Sequence, residues 1–82
     1  MKQDHLDPAR RIVAAFGKGD IAAGVASVAL ITGRNPSTVY RWMYPDGYGT
    51  GGFIPTREAN ALVLAASRFG IRLKHKDFFV ID

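Results

Sequence analysis

Three residues, Ser37, Arg41 and Tyr44, have the types and spacing for recognising a nucleic acid. A guanidinium can pair with both acceptors of a guanine edge, a contact worth about 1–3 kcal/mol of discrimination. A serine hydroxyl can donate to a base or to a phosphate. Val39 and Trp42 lie three apart and share one face of a short helix. At about 100° per residue, Ser37, Arg41 and Tyr44 then fall roughly 140–200° away from Val39, on the opposite face. A short helix with a buried apolar face and an Arg/Ser/Tyr outer face has the shape of a major-groove reader. The plainer alternatives are a solvated surface arginine and tyrosine rings that cover the edge of the core.

Other chemistry finds less support. Asp46-Gly-Tyr-Gly-Thr-Gly-Gly52 holds four glycines in seven residues and reads as a loop. Backbone amides in such a loop can surround an anion, but no Gly-Lys-Ser/Thr ending and no preceding strand mark a nucleotide site. It reads as a flexible connector, or as a loop that touches a DNA backbone through amides and Tyr48. The two histidines, His5 and His75, are far apart and lack a ligand at metal spacing. The carboxylates sit at helix caps and in loops, so neither an enzyme, a metal nor a cofactor is expected.

These residues need a scaffold, and 82 residues allow one domain with a modest core. The chain has no cysteine, which rules out disulfides and thiolate zinc sites as support. Its apolar runs fall far short of the ~20 residues of a bilayer span. Met1-Lys-Gln-Asp-His5 has no apolar signal core behind it, so a soluble, cytoplasmic protein is expected. Eleven basic against seven acidic residues give +4, a mild bias that suits a polyanion without requiring one. Between Gly33 and Arg57 the charges are Arg34, Arg41 and Arg57 against Asp46 alone, while Arg72, Lys74 and Lys76 cluster near the end.

Punctuation along the chain predicts an all-α fold of four to five helices: a tail over residues 1–6 and one domain over residues 7–82. Asp7-Pro8 starts a helix that ends at Gly17, whose missing Cβ permits a left-handed cap. Asp20 caps a second helix over residues 21–32, with Ile21, Ala22, Val25, Val28 and Ala29 on one side. Leu30 and Ile31 point elsewhere, against another part of the chain or against a second subunit. Ala29 suits a close crossing of two helices, and Gly33 ends the second. Asn35-Pro36 repeats the cap-then-proline signal for a third helix from Pro36 to Tyr44, stopped by Pro45. Pro55-Thr56 starts a fourth, with Ala59, Leu62, Val63, Ala66 and Phe69 on one face and Gly70 as terminator. Residues 71–82 could form a short helical turn or a strand. The apolar cluster Phe78, Phe79, Val80 and Ile81 folds back onto the core or is shared with a second subunit.

Residues 25–43 resemble the helix-turn-helix of the lambda-repressor-like family, which includes phage Cro-type and repressor proteins. Ala29, Gly33, Val39 and Trp42 stand at the family's spacing, and Ser37-Thr-Val-Tyr-Arg-Trp42 is the most characteristic run. The stretch from Ile12 to Phe79, with Ile54-Pro55 and Asp77-Phe-Phe79, also resembles short phage and prophage regulators of bacteria. Arg34 and Thr32 occupy positions that are commonly apolar in the family, and the Gly17-Lys-Gly-Asp20 linker is longer than is common. The resemblance implies base contacts from Asn35, Pro36, Ser37, Tyr40, Arg41 and Tyr44. It implies DNA-backbone contacts from Arg34, Thr38, Arg57, Lys18 and Tyr48. It further implies a double-stranded-DNA-binding transcriptional regulator acting as a homodimer on a two-fold operator, with no membrane or small-molecule partner. The competing expectation is a protein–protein interaction module on the same scaffold, binding a repressor, polymerase or other regulator. Non-specific packaging of nucleic acid would demand a far more basic surface.

Overall fold

The computed structural model describes residues 8–44 and 52–74, which are all-helical, with no strand among them. The elements are α1 (Pro8–Phe16), α2 (Ile21–Thr32), α3 (Pro36–Trp42), α4 (Thr56–Ala66) and a closing 3-10 turn, Ser67–Phe69. Asp7, the Gly-rich loop up to Gly51, including Tyr48, both histidines and the Phe78–Ile81 cluster lie outside the described residues. Pro8 opens α1, and the Ala9 amide, which has no partner within the helix, donates to the Gly52 carbonyl at 2.9 Å. The chain that returns toward α4 is thereby tied to the first turn of α1.

α2 is the hub, packing against α1, α3 and α4. Its N-terminus is capped by Asp20, whose carboxylate accepts from the Ala22 and Ala23 amides at 3.0 and 3.4 Å. Around it Val13, Val28, Val39 and Leu62 are fully buried, with Ile12, Phe16, Val25, Ala29, Trp42, Met43, Ile54, Ala59 and Ala66 completing the core. Ile21, Ile31, Val63, Phe69, Ile71 and Leu73 pack against it partly buried. The Phe69 ring meets Phe16 edge-on, with centroids 5.2 Å apart at 68°.

The α1–α2 corner departs from the expectation for Gly17. Lys18 (φ 55°) and Gly19 (φ 97°) take the left-handed conformation there. Gly17 is needed for space instead, since a Cβ on it would fall onto the Asp20 carbonyl oxygen and the Gly24 backbone. Gly24 makes the tightest approach between the two helices: a Cβ there would strike the Val13 carbonyl. α1 and α2 cross at 90°, and backbone-on-backbone contact at a glycine is what this crossing requires.

Four further expectations change. Ala22, placed on the buried side of α2, is exposed, while Gly24 is buried in its stead. Leu30 and Ile31 part company: Ile31 packs on the core and Leu30 is 85% exposed. α3 ends at Trp42, two residues early, because the Met43 and Tyr44 amides bond the Tyr40 and Arg41 carbonyls three residues back (3.0 and 3.2 Å), tightening the chain ahead of Pro45. Ile71 and Leu73 lie on irregular backbone, in neither of the two forms expected, a short helical turn or a strand. No single helix among the described residues is long and apolar enough to cross a membrane.

Candidate nucleic-acid interface

The candidate surface is built by α2, the turn at residues 33–35 and α3. Gly33 ends α2 in the left-handed conformation (φ 75°), and its amide and that of Arg34 both donate to the Ala29 carbonyl, at 2.9 and 3.1 Å. Thr32, a polar residue at a half-buried position, satisfies its hydroxyl on the Val28 carbonyl one turn back, at 2.8 Å. This local bond lets a threonine occupy a seam position without an unpaired polar group. Asn35 is extended, and its carbonyl accepts from Thr38 and Val39 at 3.0 and 3.2 Å, starting α3. Its side chain makes no capping bond, contrary to the expectation from Asn35-Pro36. Pro36 at the first position presets the helical φ and removes one donor that would otherwise need a cap.

α3 is anchored through Val39 and Trp42, both buried, and the opposite face carries what the spacing predicted. Asn35, Pro36, Ser37 and Arg41 are exposed, and Arg41 has no partner among the described residues. Tyr44 is 45% exposed just past the helix end. Thr38 is half-buried, and Tyr40 packs against the core with part of its ring accessible, which divides it between a structural and a contacting role. Arg57 is exposed in the first turn of α4. Lys18, in the α1–α2 corner, donates from Nζ to the Phe69 carbonyl at 3.2 Å, so it helps close the 3-10 turn.

Arg34 is placed differently from the expectation that it serves a phosphate. Its Nε and Nη2 both approach Oε2 of Glu58, at 2.7 and 2.6 Å. The Glu58 side chain is only 6% exposed and that of Arg34 47%. Glu58 is thus a buried carboxylate in the first turn of α4, a residue that sequence reasoning missed by assigning the acids to caps and loops. The available signal was spacing: Glu58 stands four residues before Leu62 and eight before Ala66, on the stripe that α4 buries. No buried side-chain nitrogen or oxygen among the described residues lacks a hydrogen-bond partner. Nor do three His, Cys, Asp or Glu side chains come together there as a metal site would need. Neither a family model nor a curated protein nor a solved structure matches this chain.

Proposed function

We propose that the chain is a sequence-specific double-stranded-DNA-binding regulator of the repressor or Cro type, in which α2, the turn and α3 act as a helix-turn-helix. The observation that carries this reading is the division of α3, with Val39 and Trp42 buried against the core and Ser37 and Arg41 exposed one turn apart on the other side. A seven-residue helix is about 10 Å long and enters a major groove about 12 Å wide. Arg41 reads a guanine edge, Ser37 and Asn35 contact neighbouring bases, and Tyr40 and Tyr44 reach thymine methyl groups or phosphates. Arg57, Lys18 and Thr38 contribute backbone contacts. One such helix reads only a few base pairs, so a homodimer on a two-fold operator supplies the specificity. Occupying that operator, in the cytoplasm of a bacterial or phage-infected cell, blocks or recruits polymerase.

Selection from a randomised duplex pool followed by titration across salt tests the reading. The expected result is a preferred sequence, salt-dependent affinity, and a loss of about 5- to 150-fold at one base position in Arg41→Ala. A pool that returns no preferred sequence, or an Arg41→Ala protein that keeps its discrimination, refutes it. A second reading has its own support in Leu30 and Leu64, 85% and 80% exposed on α2 and α4. On that reading the scaffold binds another protein through an apolar surface. A stoichiometric protein partner held independently of moderate salt would favour it.

A further inference from the structure

We infer that Arg34 and Glu58 form a strut that sets the presentation of α3, and that Arg34 is a positioning residue rather than a phosphate contact. The inference rests on the DNA-binding reading for its functional half. Arg34 occupies the middle of the turn at residues 33–35, directly between the end of α2 and the start of α3. Glu58 belongs to α4, 24 residues further on, so the pair ties the turn to a helix on the far side of the loop.

The geometry shows how firmly Arg34 is engaged. Two guanidinium nitrogens converge on one carboxylate oxygen, at 2.7 and 2.6 Å, and that carboxylate lies in the protein interior. A buried carboxylate needs a charge partner, and breaking such a pair leaves an uncompensated charge behind. Glu58 therefore holds Arg34 against exchange with an external anion, so Arg34 neutralises no phosphate and releases no counterion from the DNA. α3 is seven residues long, with Val39 and Trp42 buried and Tyr40 packed against the core. The strut acts three residues before Ser37, at the end of α3 where the chain enters, and adds an attachment to α4 there.

Glu58→Gln, Arg34→Met, Glu58→Leu and the Met/Leu double variant of the full chain separate the alternatives. Each is read by thermal unfolding and by affinity, across salt, for the selected site and for the same site changed at one base. Glu58→Gln keeps the shape of the carboxyl and serves where a harsher variant fails to fold. As a strut, Glu58→Gln lowers the ratio between the two sites several-fold, although it leaves an additional unneutralised positive charge on the protein. Arg34→Met leaves the slope of log affinity against log salt unchanged, and the double variant recovers much of the unfolding midpoint that the single variants lose. A slope shallower by about 0.9 in Arg34→Met assigns Arg34 to a phosphate and overturns the inference, and a ratio between the two sites that Glu58→Gln leaves unchanged overturns the positioning role. Additive midpoint losses in the double variant overturn the strut itself. A wild-type protein without sequence preference defeats the DNA-binding reading and the positioning role with it, while the unfolding cycle still decides whether the strut exists.

Discussion

Gly24→Ala sets two physical effects against each other in sign. Within a helix, replacing glycine by alanine stabilises by about 1 kcal/mol, because glycine loses more backbone entropy on folding. At Gly24 the added methyl would land on the Val13 carbonyl, at the 90° crossing of α1 and α2. Relief requires the helices to part by on the order of 1 Å, which opens the packing around Val13, a fully buried residue. Overpacking of this kind costs about 1–3 kcal/mol, and collision with backbone rather than a flexible side chain belongs at the upper end. The net expectation is a loss of about 2 kcal/mol, or roughly 8–16 °C in the midpoint for a chain of this size. Circular dichroism melts provide the assay. Ala26→Gly is the control, since Ala26 is exposed on the same helix and should lose about 1 kcal/mol by propensity alone. Opposite substitutions in one helix thus both destabilise. Val13→Ala in the Gly24→Ala background should not rescue stability, because the nearest atom is the backbone oxygen. A midpoint that rises in Gly24→Ala refutes the close approach and the explanation of the corner built on it.

Two further outcomes follow from the caps of α2. Asp20→Ala removes the acceptor for two amides and should cost about 1 kcal/mol, whereas Asp20→Asn should keep most of the stability; equal losses would mean that charge rather than acceptance matters. Gly33→Ala should cost about 1 kcal/mol through its left-handed backbone alone, since no atom lies within 4 Å of an added Cβ. Gly33→Asn should cost less, and chemical denaturation curves that rank asparagine with or below alanine would contradict that account.

Much of the scaffold was legible in the chain itself. The limits of α2 follow from Asp20 and Gly33, and its start and stop coincide with the helix observed. The buried positions Ala59, Leu62 and Ala66 of α4 follow from periodicity, as do Val39 and Trp42 of α3. These signals are readable because capping bonds and helical period involve residues within about one turn of each other. The exposed face of α3 was legible for the same reason, once its buried face was known.

What tertiary structure decided involves residues that local pattern does not connect. Gly17 does stand where α1 stops, yet it is bare to make room for α2 rather than to form a left-handed cap, and only the crossing of α1 over α2 shows that Gly24 must be bare. Lys18 finds the Phe69 carbonyl 51 residues away, and Arg34 finds Glu58 across the loop. Ala22 and Leu30 face outward because α2 meets its three neighbours over a narrower arc than its apolar composition suggests. Helix identity is set by short-range hydrogen bonding and backbone preference, so the sequence alone determined which segments are helical and which face of α3 is free. The partner of a charge and the space allowed to a glycine depend on how those helices cross, which is decided only when the whole core packs.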